Sequence, residues 1–93
     1  MARYTVRVEL HDAERDDYDE LHTAMEDEGF SREVTSDDGK TYHLPWAEYN
    51  RDTASSRSAV LDSAKRAAET TGKEYEVLVT ESAGRVWYNL SHA

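Results

Sequence analysis

His43 is the histidine of this chain best placed to do chemistry. It sits in the stretch Gly39–Tyr49, GKTYHLPWAEY, beside two tyrosines, a tryptophan and the only proline. Strict alternation turns it away from Tyr42 and Leu44, so it faces the opposite side of any sheet those two help to bury. The first apolar run, YTVRVEL, presents Arg7 and Glu9 on its polar side. If the two strands are neighbours, an imidazole, a guanidinium and a carboxylate meet on one surface. A carboxylate fixes the imidazole tautomer, a guanidinium steadies a phosphate, and the imidazole takes a hydroxyl proton. That is the smallest kit for cutting RNA without a metal, with His43, Arg7 and Glu9 in the catalytic roles. The same three residues also read as a solvated cross-strand cluster or a dimer contact.

The remaining candidates carry less. His22 flanks an apolar helical stripe and reads as a boundary residue. His11, with Asp12 and Glu14, offers oxygens and a nitrogen to a divalent cation. A helix N-cap and an acidic first turn explain those residues more economically. No His-x-x-x-His pair, Gly-rich phosphate loop or Gly-x-Ser-x-Gly elbow occurs, and there is no cysteine. Neither a metal nor a cofactor is expected. Trp46 and Tyr49, in the segment after Pro45, and Arg85 and Trp87, near the C-terminus, are the candidate binding residues.

The elements that must position these groups follow from period and punctuation. YTVRVEL alternates, with Tyr4, Val6, Val8 and Leu10 on one face, and predicts a half-buried strand. Tyr18, Leu21, His22 and Met25 recur at helical spacing, with Asp12 as the expected N-cap and Gly29 as the stop. FSREVT predicts a second strand with Phe30 and Val34 inward, SDDG a turn, and KTYHL a third strand ended by Pro45. Residues 46–55 are expected to form one long loop. A second helix is predicted from about Ser56 to Thr71, with Val60, Leu61, Ala64, Ala67 and Ala68 on its stripe. KEYEVLVTE predicts the fourth strand, and RVWYNL a short C-terminal strand. Strand, helix, strand, strand, helix, strand, with right-handed crossovers, gives an α+β ferredoxin-like sandwich of two helices on one face of a four-stranded antiparallel sheet. All 93 residues are assigned to that single domain.

Bulk properties restrict the partners. Twenty acids against eleven bases give a net charge of -9. That is opposite to the basic face on which phosphate binding ordinarily depends, so RNA is disfavoured as a generic partner. The free sheet face also lacks the aromatics on which an RNA-recognition motif stacks bases. No N-terminal apolar signal is visible and no apolar run approaches the ~20 residues that cross a bilayer, so a cytoplasmic protein away from membranes is expected.

The segments TYHLPWAEY, YTVRVEL and VLVTESAGRVWY, in this element order, resemble the short bacterial proteins grouped with the GhoS-type antitoxin endoribonuclease. The resemblance spans roughly Tyr4 to Leu90. It implies a ferredoxin-like fold akin to small CRISPR adaptation nuclease subunits, a dimer, and cleavage of a membrane-toxin messenger RNA. It carries no residue-by-residue assignment of a site. Charge and the lack of a catalytic motif place a different reading first: an acidic regulatory module, homodimeric, that binds a protein partner. The endoribonuclease ranks second, and an acidic nucleic-acid mimic third.

Overall fold

The first strand, β1 (Ala2–Leu10), buries Tyr4, Val6, Val8 and Leu10 and leaves Thr5, Arg7 and Glu9 on its other side, as the alternation dictates. In the computed structural model, which describes Met1 to Ala93, β1 is the centre of the sheet. After Leu10 the chain turns at Asp12, whose φ of 50° lies in the left-handed region that Asp tolerates better than most residues. Helix α1 (Arg15–Asp27) therefore begins later than expected. Its N-cap is Glu14, not Asp12, and the Glu14 N–H donates to Asp17 Oδ2 at 2.8 Å. α1 ends as Gly29 predicts. With φ at 94°, Gly29 donates to the Glu26 carbonyl and Phe30 to that of Met25, each at 3.0 Å, which is a Schellman closure.

Strands β2 (Glu33–Thr35) and β3 (Thr41–His43) form a short hairpin, with Val34 opposite Tyr42. The main sheet takes a different segment. β4 (Glu48–Thr53) lies where a loop was expected and pairs antiparallel with β1 from Ala2↔Thr53 to Arg7↔Glu48. Its sequence, EYNRDT, hides this because only Tyr49 is apolar. Pairing with the buried centre of the sheet decides its conformation, not intrinsic preference. Helix α2 (Arg57–Glu69) starts at Ser56, whose Oγ accepts from the Ala59 N–H at 3.1 Å. β5 (Tyr75–Glu81) returns on the other side of β1, so the sheet order is β4-β1-β5 with the outer edge of β5 open. A single bridge, Ser31↔Asn50, joins the segment before β2 to β4. Segment, β4, β1 and β5 thus reproduce the order of a ferredoxin-like α+β fold, with three regular strands and a separate two-stranded hairpin in place of the four-stranded sheet expected.

Both helices cover one face. Val60, Ala64, Ala67 and Ala68 of α2 and Leu21 and Met25 of α1 enclose Val6, Val8, Phe30 and Tyr49. The alanine stripe lets α2 lie close to the strands. Val34 is buried apart from this core, in a groove under the C-terminal tail. That tail is not the strand expected from RVWYNL. Val86 and Tyr88 point into solvent, 99% and 93% exposed, and the chain pairs only at Tyr42↔His92.

Candidate active face of the sheet

The uncovered face of β1 carries Arg3, Thr5, Arg7 and Glu9, and the same alternation extends one step beyond the strand to His11. Register sets what lies across from each: Asp52, Asn50 and Glu48 of β4 face Arg3, Thr5 and Arg7, while Thr80, Leu78 and Glu76 of β5 face Thr5, Arg7 and Glu9. Glu9 and Glu76 are therefore cross-strand partners of like charge, an unfavourable arrangement unless cations intervene. Each has a partner of its own. Arg7 Nε donates to Glu9 Oε1 at 3.0 Å and its Nη1 lies 3.7 Å from Glu48 Oε2. His11 Nε2 lies 2.9 Å from Glu76 Oε1, with Glu74 4.0 Å from its Nδ1. The result is a line of charged and polar groups, Glu48, Arg7, Glu9, then Glu76 and His11, with the two facing carboxylates at its middle.

The His11 pKa is raised above its ordinary value, first by the hydrogen bond to Glu76; desolvation opposes it, and the charges of Glu76, Glu74 and Asp12 each add a smaller upward push. The Arg7 guanidinium is held charged by the same kind of contact with Glu9. An imidazole oriented by a carboxylate and an arginine fixed by two more share this face, where the first can accept a proton and the second can hold an anion.

His43 is not part of this line. Its strand, β3, has β2 as its partner and lies outside the sheet of β1, so His43 faces Glu33 and its N–H donates to the Ser91 carbonyl at 2.8 Å. The expectation that His43 joins Arg7 and Glu9 assumed that KTYHL neighbours the first strand; β4 holds that place. His11 is the histidine that the sheet brings to them. The signal was present in the odd-numbered series 5, 7, 9, 11, and a capping explanation concealed it.

The other candidates separate in the same way. Tyr49 is fully buried in β4, where its Oη and His22 Nδ1 share a hydrogen bond of 2.6 Å. His22 is a core residue rather than a boundary one. Burial, and then the nearby Arg32, lower its pKa to about 4, and burial raises that of the Tyr49 hydroxyl. Trp46 is 42% exposed and stands against α1. Arg85 reaches the uncovered face, where its Nη1 donates to Asn50 Oδ1 at 2.7 Å and to Thr5 Oγ1 at 3.2 Å. Burial, followed by repulsion from Arg3, lowers its pKa. Trp87 packs on Tyr42, ring centres 5.6 Å apart, and helps roof a groove of about 660 Å³ floored by Thr5, Glu48 and Thr80. No cluster of three or more His, Asp or Glu side chains is arranged to hold a metal ion. No helix is long and apolar enough to cross a membrane.

A family model described as Endoribonuclease GhoS matches residues 1–84, from the start of β1 through the end of β5. The chain belongs to the GhoS endoribonuclease family. The GhoS match ends one residue short of Arg85, so the tail that roofs the groove lies beyond it. No curated protein matches the sequence.

Proposed function

We propose that this protein is an endoribonuclease of the GhoS antitoxin type, acting through the uncovered face of its sheet. Membership of the family reverses the order drawn from charge and the lack of a catalytic motif, which put a binding module first. The single observation that carries the reading is that the Glu76-bound His11 and the Glu9- and Glu48-bound Arg7 lie on one exposed face, with the cross-strand pair Glu9 and Glu76 between them.

In this mechanism His11 removes the proton of a ribose 2′-hydroxyl while Glu76 holds the ring in position. The 2′-oxygen attacks the adjoining phosphorus, the bond to the 5′-oxygen breaks, and that oxygen takes a proton from water. The products are a 2′,3′-cyclic phosphate and a 5′-hydroxyl. Arg7 bears on the phosphate oxygens as charge builds in the transition state, with Arg85 available further along the same face. Glu9 and Glu48 set the guanidinium's direction. They also keep the resting surface acidic, so only a substrate that replaces their contacts is held firmly.

A mixed RNA pool incubated with the purified protein tests this. Defined fragments ending in a cyclic phosphate are expected, with cutting reduced about a hundredfold or more in His11→Ala and comparably in Arg7→Ala, but little changed in His43→Ala. Intact RNA under all buffers, or fragments that persist unchanged in His11→Ala, rejects the assignment.

A further inference from the structure

The segment between β3 and β4 holds a feature that the active face leaves unused. Trp46 projects from it toward α1, and two guanidiniums lie over its indole: Arg32 at 5.2 Å and Arg15 at 5.5 Å from the ring centre. Neither arginine has a carboxylate within ion-pair distance, a lack they share with Arg51, Arg57, Lys65 and Arg85, whereas Arg3, Arg7, Arg66, Lys40 and Lys73 are paired. What sets Arg15 and Arg32 apart is that both lie on the same aromatic ring.

The ring is held from three sides. Glu48 N–H closes a turn on the Pro45 carbonyl at 3.0 Å, and the Ala47 carbonyl accepts from Val8 N–H at 3.0 Å. Behind it stands the buried His22 imidazole, 4.9 Å away and nearly perpendicular, with its Nε2 lacking any hydrogen-bond partner. Arg32 is half-buried and its backbone carbonyl accepts from Leu44 N–H at 2.7 Å, so it is the fixed member of the pair. Arg15, the first residue of α1, is exposed. Beside it opens a hollow of about 460 Å³ lined by Ala13, Glu14, Arg15, Tyr18 and Trp46.

We infer that Trp46 is a stacking platform for one unpaired RNA base, with Arg15 moving off the indole to meet that nucleotide's phosphate. An exposed, preoriented indole offers a π-face to any base, and a guanidinium already lying on it supplies the charge. The inference rests on the endoribonuclease reading for its choice of ligand. It adds to that reading a second point of attachment at the same end of β1. Arg7 faces Glu48, two residues along the chain from Trp46, so a strand held at Arg7 reaches the indole by rounding the Ala47 turn. A base paired in a duplex cannot be splayed onto the ring, so single strands are preferred.

The test follows Trp46 emission in a Trp87→Phe protein while a short single-stranded oligouridylate is added. Saturable quenching is expected, weakened about tenfold in Arg15→Gln, a surface change that leaves the core intact. Binding of labelled oligouridylate should weaken about threefold in Trp46→Phe, which keeps a smaller ring in place. A duplex of equal length should quench little. Lack of quenching, equal quenching by the duplex, or no effect of Arg15→Gln overturns the platform. The two assignments fail separately. Quenching by oligouridylate without cleavage of any RNA keeps the platform and removes the nuclease, whereas cleavage lost in His11→Ala without quenching does the reverse.

Discussion

His11 and His22 have opposite environments, and their protons follow. His11 is exposed beside Glu76, which favours the imidazolium; His22 is enclosed with Tyr49 and Trp46, which favours the neutral ring. Replacing Glu76 by Gln removes the main cause of the His11 shift. The His11 midpoint in an NMR titration should fall in that variant, and the rising limb of the cleavage rate should move to lower pH with it. For His22 the effect is on stability. The unfolded chain takes up this proton near pH 6.5, whereas the folded ring does so only at about 4. Between those values the unfolded state binds more protons, so stability falls as pH drops and recovers as it rises. The urea midpoint of the native protein should decline over that interval more steeply than that of His22→Gln. At this scale the sequence was half legible. Alternation assigned Arg7 and Glu9 to the correct face, but the partner histidine depended on which strand stands next to β1.

At the scale of elements, β1, both helices and β5 were readable because each carries its own period and its own stop signal. β4 was not. EYNRDT contains one large apolar residue, and Arg51 takes a position where its guanidinium lies over the Phe30 ring, 5.2 Å from its centre. A strand recruited by its neighbours leaves little trace in its own residues. The C-terminal RVWYNL erred the other way: it has a strand's alternation, but Val86 and Tyr88 find nothing to cover them. The α1 terminus offers a test of local coding. A Cβ at Gly29 would meet only the Arg51 side chain at ordinary contact distance, so space is not the obstacle. The cost lies in the φ of 94°. Gly29→Ala should lower unfolding free energy by about 1–2 kcal/mol, read by chemical denaturation, with helix content otherwise preserved.

The whole molecule is a slab of about 39 × 28 × 18 Å, one sheet covered by helices on a single side. The fold class was legible because the order of elements and the handedness of crossovers leave few alternatives. The place of the site was not, because net charge averages over a surface whose cations are unevenly neutralised. Arg15 and Arg32 are invisible in a sum of -9, yet they sit together on one ring.

The bonding around β1 has a further consequence. Both of its edges are occupied, by β4 and β5, whereas the β2–β3 hairpin is tied to the sheet through Ser31↔Asn50. Amide deuteration should therefore proceed in two tiers. Val6 and Val8 would exchange only when the entire domain opens, and Val34 and Tyr42 at the far smaller free energy of detaching one ribbon and its overlying tail. Equal rates in the two places would mean that the hairpin and the sheet melt as a single unit.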